Sequence, residues 1–235
     1  MNPLCVIPAR RGSRRLRNKN ILPLCGRPML SYTVEAAIES GVFDVVVVST
    51  EDHDIATVAA RAGAHVHPRP ASLAGDLVSA TDVCLDAHNS LRSSLGDRDA
   101  IVCLQPTSPL RTADDITASW SRFLESRADF LVSVTAIDPH YFHWALREDG
   151  PWWRLWFGQE YLLERPLLPP VFRPNGAIKM GRIEPTARLR HFFGPRLTIY
   201  EMEETHSVHV ATKLDLLLAE ALLTQAGPEN NVNGA

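Results

Sequence analysis

Apolar residues fall along this chain in short unbroken runs, separated by helix-length stretches of mixed polarity. Residues 4–8 form the first run and read as a short buried strand. Asp44-Val-Val-Val-Val-Ser-Thr50 is a continuous β-branched run, which predicts a parallel strand covered on both faces. Between the two, residues 29–40 carry helical spacing, with Pro28 at the first helical position and Gly41 as the stop. Asp52 or Asp54 is placed to cap a helix reaching about residue 61, which Gly63 ends. A brief strand at 65–67, a helix at 79–93, a strand at 100–104, a helix at 113–125 and a strand at 130–135 continue the alternation. The β-α-β-α order with short connections predicts an open α/β sheet of Rossmann-like type, whose ligands bind at the carboxyl ends of the strands. On this placement the loop after residue 8, Thr50, Gln105 and Thr135 share one edge.

The rhythm breaks from residue 138 to about residue 174. Prolines cluster (Pro166, Pro169, Pro170, Pro174), and Trp144, Trp152, Trp153 and Trp156 accumulate without a period. An aromatic excursion of this kind suits a subunit interface. Residues 177–180 and 198–201 are placed to rejoin the sheet, and 212–223 form an amphipathic helix capped by Thr212. The main domain is therefore expected over 1–137 and 171–225, with the excursion at 138–170. The polar segment 226–235 is expected to be a disordered tail. There is no internal repeat.

Charge changes the picture at one place. Five arginines and one lysine crowd into residues 10–19, and no acid precedes Glu35. The net charge is −3, but the first 34 residues hold seven Lys/Arg and no Asp/Glu, leaving 17 basic against 27 acidic residues in the remainder. A basic, Gly/Ser-containing loop after a first strand can offer a polyphosphate both backbone N–H groups and cations. A solvated basic arm, or one for nucleic acid, is the alternative. The acidic remainder argues against nucleic acid, because it would repel a polyanion spread over the surface. No 18-residue apolar span and no signal peptide is apparent, so no membrane partner and a cytoplasmic location are expected. The four cysteines show no CxxC pairing and read as structural thiols.

The loop matches neither a Walker A pattern nor the three-glycine dinucleotide fingerprint, so side chains must do most of the holding. Two further loops stand out. Leu104-Gln-Pro-Thr-Ser-Pro-Leu-Arg111 follows a buried strand and is stiffened by two prolines. Asn175-Gly-Ala177 sets an amide beside a residue able to take positive φ. Each alone is equally readable as a turn.

Taken together, Pro8-Ala-Arg-Arg-Gly-Ser-Arg14, Lys19-Asn20, Gly26-Arg-Pro28, Val48-Ser-Thr-Glu-Asp52, Arg69-Pro-Ala-Ser-Leu-Ala74, the 104–111 loop and Asn175-Gly-Ala177 resemble the acylneuraminate cytidylyltransferase family. The ordered resemblance covers residues 4–220. It implies a three-layer nucleotidyltransferase domain that joins CMP from CTP to a small anionic acceptor, with Mg²⁺, and a dimer formed through the excursion. It implies that Arg10, Ser13 and Lys19 hold the CTP phosphates with Gly12, Arg14 and Asn20 in support, Arg10 and Lys19 being the catalytic cations. Arg69 and the segment from Asp76 to Ser79 would lie by cytosine and ribose. Gln105 would sit between nucleotide and acceptor, and Arg165 and Asn175 near the acceptor.

Two stretches depart from the family. Where it carries Asp-Ile-Asp-Thr, with carboxylates engaging metal and acceptor, this chain has Ser207-Val-His-Val-Ala-Thr-Lys213. His209 is then the candidate metal ligand, though Mg²⁺ prefers oxygen. A zinc site from His206 and His209 has only two ligands. Glu164-Arg165-Pro166-Leu167 also replaces a more polar stretch, and Lys179 replaces an aromatic residue. Fewer carboxylates and an added lysine favour an acceptor that is already ionised, such as a small phosphonate of the phosphonoformate type, over a nonulosonate sugar acid. The missing carboxylates also admit a degenerate paralogue that binds CTP without turning it over.

Overall fold

The computed structural model describes residues 1–12, 16–157, 164 and 167–225. The runs of buried apolar residues become the strands of one seven-stranded sheet. Strands β1 (Pro3–Pro8), β4 (Val46–Thr50), β5 (His65–Pro68) and β6 (Ala100–Leu104) pair in parallel, in the spatial order β6-β1-β4-β5. Beyond β6 lie β10 (Val171–Arg182), β7 (Phe130–Ile137) and β11 (Leu197–Glu201). β10 is antiparallel to both neighbours, and β11 pairs parallel to β7 at the edge. Strands β1, β4 and β6 are almost wholly buried, as continuous apolar runs require when both faces are covered.

Helices fill both faces and make the three-layer arrangement. On one side Leu30 and Val34 of α1 (Met29–Glu39), Ile55 and Ala59 of α2 (His53–Arg61) and Ile116 and Phe123 of α4 (Ala113–Ser126) pack on Cys5, Ile7, Val48 and Val102. On the other, Cys84, Leu85 and Ala87 of α3 (Ala80–Leu95) pack on Leu4, Val6, Val47 and Cys103. The alternation of partners along each strand is the period-2 geometry of the pleat. Asp52 caps α2 by accepting from the Ile55 N–H at 3.0 Å, and Thr112 closes a capping box with Asp115 on α4. Pro28 stands one residue earlier than expected, at the N-cap of α1 rather than its first turn. It closes a small hairpin, β2 (Pro23–Leu24) with β3 (Arg27–Pro28), that the periodicity does not announce.

Of the expected excursion, 158–163 and 165–166 lie outside the described residues. β7 runs on to Ile137, two residues beyond the expected end, because β10 continues to pair with it, so Thr135 lies within the ladder rather than at the edge. A short helix, α5 (Pro139–His143), then leads to a hairpin of β8 (Leu146–Asp149) and β9 (Trp152–Leu155) that forms its own two-stranded sheet. The chain returns on β10, where Asn175-Gly176 interrupts the register. Gly176 there has φ 79°, the left-handed conformation that a glycine adopts without strain. Helices α6 (Ile183–Leu189) and α7 (Lys213–Gln225) complete the fold. No helix among the described residues is long and apolar enough to cross a membrane. The expected tail, 226–235, lies outside the described residues.

Candidate active site

The carboxyl ends of β1, β4, β5 and β6 meet at one edge, and the loops that leave them enclose a cleft of about 310 Å³. Pro8, Arg10, Gly12, Lys19 and Asn20 contribute from the basic loop, Arg69 from the end of β5, and Gln105 and Thr107 from the end of β6. Leu73, Val78 and Val83 give the cleft an apolar floor on the α3 side. Lys19 begins a single 3-10 turn, Lys19–Ile21. The buried amide of Asn20 donates to the Arg10 carbonyl at 2.9 Å, which folds the basic loop back on itself and keeps Arg10 and Lys19 on the same cleft.

In the linear sequence nothing acidic lies near the arginines, but the fold supplies counter-charges from two other loops. Arg10 pairs with Asp76 at 2.6 Å, and Arg11 pairs with Asp52 at 3.0 Å while its backbone N–H donates to Glu51. Arg69, almost fully buried, has Glu51 at 3.8 Å. Burial pushes the Arg69 pKa down, with Glu51 opposing. A ligand that enters with several negative charges therefore competes with these carboxylates for cations already gathered in one place.

The 104–111 loop is rigid for a reason beyond its prolines. Arg111 is buried beneath it and donates to the carbonyls of Ala177 at 3.1 Å and Gln105 at 3.4 Å. Burial lowers its pKa to about 10, so it remains charged at neutral pH. It ties the Gln105 loop to β10, and Gln105 N–H itself donates to the Ala177 carbonyl. On the same loop Thr107 lies 3.2 Å, Oγ1 to Nδ1, from His209, and its carbonyl accepts from Val210 N–H at 2.8 Å. His209 is exposed at the cleft wall, yet protein atoms crowd its ring. That partial desolvation pushes its pKa below the ordinary histidine value, helped by Lys19, Lys179 and Arg173 and opposed by Asp215. Its imidazole is therefore neutral at pH 7. It also lines a neighbouring hollow of about 550 Å³ with Arg173, Ser207 and Asp215.

The surroundings of His209 do not fit a protein-held Mg²⁺, which requires several oxygen donors. Three of the four charges acting on the ring are positive. The fourth, Asp215 in the first turn of α7, has its Oδ2 engaged by the N–H groups of Ala211 and Thr212 and by the Thr212 hydroxyl. No group of three or more His, Cys, Asp or Glu converges on a metal among the described residues. His209, the expected metal ligand, hydrogen-bonds with Thr107 at the cleft wall among mostly cationic neighbours. His206 turns its Nδ1 to Asp115 at 3.0 Å.

The other expected residues divide. Arg10, Gly12, Lys19, Asn20, Arg69 and Gln105 line the cleft together. Asp76 reaches it through Arg10, whereas the Ser79 hydroxyl is engaged as the N-cap of α3, accepting from Asp82 N–H at 3.0 Å. Lys179 is half-buried on β10, on the sheet face shared with its register partners Cys103 and Val132. Asn175 is a correction. Its Oδ1 accepts from Ser133 Oγ at 2.5 Å and Ala177 N–H at 3.1 Å, and its Nδ2 donates to Ser207 Oγ at 2.9 Å and contacts Met202 Sδ. At 3% exposure it is a structural node and has nothing left for an acceptor. Ser13, Arg14 and Arg165 lie outside the described residues. Thr107 and Arg173 were missed; only their neighbourhood in a stiff loop and a proline-rich run hinted at them.

Comparisons with known proteins bear on the family and the fold. A family model described as cytidylyltransferase matches residues 4–209. The chain is 33% identical over 219 residues to an N-acylneuraminate cytidylyltransferase of Streptococcus agalactiae serotype III, covering 92% of this chain and 52% of that protein. It is 30% identical over 225 residues to a pseudaminic acid cytidylyltransferase of Campylobacter jejuni, covering 94% and 96% of the two chains. The chain thus spans about half the length of the first of these and nearly all of the second. Among solved structures, a CMP:2-keto-3-deoxy-manno-octonic acid synthetase complexed with CTP has the same fold, with a TM-score of 0.70 at 17% identity over 96% of this chain and 99% of the other.

Proposed function

This chain belongs to the cytidylyltransferase family that includes the N-acylneuraminate and pseudaminic acid enzymes, and on that premise we propose that it transfers CMP from CTP to a small anionic acceptor and releases pyrophosphate. The observation that carries the proposal is the convergence of Arg10, Lys19, Asn20, Arg69 and Gln105 on one cleft at the carboxyl edge of the sheet. In this proposal Arg10 and Lys19 hold the triphosphate, with the N–H-bearing loop around Gly12 beneath them. Arg10 leaves Asp76 as the phosphates arrive. Arg69 and the apolar floor by Val78 and Val83 take the nucleoside end.

An acceptor oxygen then attacks the α-phosphorus in line. The bond from that phosphorus to the bridging oxygen breaks, and pyrophosphate leaves with the electron pair. Such a reaction asks the protein for position and charge stabilisation rather than covalent chemistry. Lys19 and Arg10 neutralise charge that builds on the leaving group, and Gln105 lies between donor and acceptor. Any Mg²⁺ belongs in this scheme to the triphosphate oxygens, because the donors around His209 do not suit it.

Sugar acids of the nonulosonate type are the first acceptor class, from the names of the relatives. One observation favours a small phosphonate instead. The positive charges of Lys19, Lys179 and Arg173 act together at His209, where carboxylates would be expected. A phosphonate is ionised at neutral pH and needs neutralisation rather than deprotonation. The excursion supports a homodimer: Tyr141, Trp152 and Trp153 are well exposed there.

A pyrophosphate-release assay with CTP and Mg²⁺ across nonulosonates, octulosonates and small phosphonates tests the proposal. Turnover with either acceptor class supports cytidylyl transfer and assigns the class. CTP binding without pyrophosphate release against any acceptor would replace it with the non-catalytic paralogue.

A further inference from the structure

Arg69 reaches the cleft as a buried cation, and three side chains behind the cleft wall determine how it lies. Ser49 on β4 and His67 on β5 are register partners in a parallel pair, so both project to the face covered by α3. From α3 comes Asp86. Arg69 Nε donates to Ser49 Oγ at 3.4 Å, and its Nη2 donates to the Ser49 carbonyl at 2.5 Å. Ser49 Oγ lies 3.2 Å from His67 Nδ1, and His67 Nε2 lies 3.7 Å from Asp86 Oδ2. That carboxylate oxygen is buried and makes no hydrogen bond, so its electrostatic partner is the imidazole.

The direction of the chain follows from donor counting. A guanidinium has only donors, so Ser49 Oγ accepts from Arg69. The single Ser49 proton is then free for Nδ1 of His67, which leaves the imidazole proton on Nε2, facing Asp86. Serine, imidazole and carboxylate in this order look like a hydrolytic triad. Ser49 is fully buried, however, and its hydroxyl is turned to Arg69, so no substrate carbonyl can reach it.

We propose that Ser49, His67 and Asp86 form a positioning relay that fixes Arg69 for nucleotide binding. The inference rests on the reading of the cleft as a CTP site with Arg69 at the nucleoside end. Arg69 also has Glu51 at 3.8 Å, but from one side only. The relay holds its Nε edge, while Nη1 lies toward Glu51, and Arg69 so held lines the cleft. A relay of neutral groups ending in a carboxylate orients the cation without cancelling it on the ligand side.

Calorimetric titration with MgCTP, joined to steady-state kinetics, tests this. In wild type, CTP binds. Asp86→Asn, a near-isosteric change, is expected to weaken CTP at least threefold, and His67→Phe at least tenfold. Both should act through KM for CTP, with kcat at saturating CTP retained within twofold. His67→Asn, whose amide oxygen can take the place of Nδ1 and accept from Ser49, should recover part of the loss. Variants that melt like wild type and bind CTP within twofold of it would overturn the relay alone. So would equal losses in kcat and in acceptor KM, which denote general damage. A wild-type protein that does not bind CTP would overturn the nucleotide reading, and the relay with it.

Discussion

Lys19→Ala is the change that most directly examines the triphosphate grip. Lys19 lies half-buried on the cleft, on the turn that Asn20 pins to Arg10. A unit charge about 4 Å from a phosphate oxygen is worth about 4 kcal/mol at an effective dielectric constant near 20. Partial exposure reduces that, and a charge-assisted hydrogen bond contributes about 1.5–3 kcal/mol net. Taking about 2–3 kcal/mol, kcat/KM should fall about 30- to 150-fold. If the lysine stabilises the leaving pyrophosphate, much of the fall appears in kcat rather than in KM for CTP. Lys19→Arg should retain far more activity than Lys19→Met, since charge rather than shape is the property used. The structure supplies an independent readout. Lys19 is the first of the charges that depress the His209 pKa, so its removal should raise that pKa, as followed by NMR titration of the imidazole. A Lys19→Ala enzyme with kcat/KM within threefold of wild type would remove Lys19 from the mechanism. An unchanged His209 titration would show that the two residues do not share the cleft.

Three further outcomes are expected. Asn175→Ala leaves Ala177 N–H without its acceptor and removes the bonds to Ser133 and Ser207, and should cost about 2–4 kcal/mol in urea denaturation, while acceptor KM stays within twofold; a selective rise in KM would return Asn175 to the acceptor site. Gly181→Ala would set a Cβ 2.1 Å from Thr186 Oγ1 and 3.3 Å from the Phe130 ring, so a loss of about 1–3 kcal/mol and a melting point lower by about 2–12 °C are expected, and a neutral result would show that β10 and α6 can separate freely. His67 and His88 are buried and their pKa values lie below the ordinary 6.5, chiefly through burial. The unfolded chain therefore takes up protons that the folded one does not. Stability present above about pH 6.5 is lost as pH falls, by up to about 1.4 kcal/mol per pH unit for each histidine. Denaturation curves at pH 7.5 and 5.5 check this, and equal stability at both would refute it.

Much of the architecture was legible because it depends on local pattern. The β-branched run before Thr50 predicts a buried parallel strand, and Gly63 and Thr212 mark helix ends through backbone chemistry that needs no distant partner. The basic loop was visible for the same reason, as charge concentrated in ten residues. Asn175 was misread because sequence shows an amide beside a flexible glycine and cannot show what that amide touches. The bulge at Gly176 turns it inward to Ser133 and Ser207, from two other parts of the chain. The cations around His209 were likewise invisible in the sequence, because Lys19 comes from the basic loop and Lys179 and Arg173 from β10.

By itself the sequence determined the alternation of the main strands and helices and the crowding of positive charge in the first loop. These follow from hydrophobic period, helix caps and residue charge, each a property of neighbours along the chain. The tertiary structure decided how that charge is used. Only folding brings Asp76 to Arg10, Glu51 and Asp52 to the basic loop, and Ser49, His67 and Asp86 behind Arg69. Counter-charge and orientation depend on distances of a few ångströms between residues tens of positions apart, and those distances exist only once the sheet has formed.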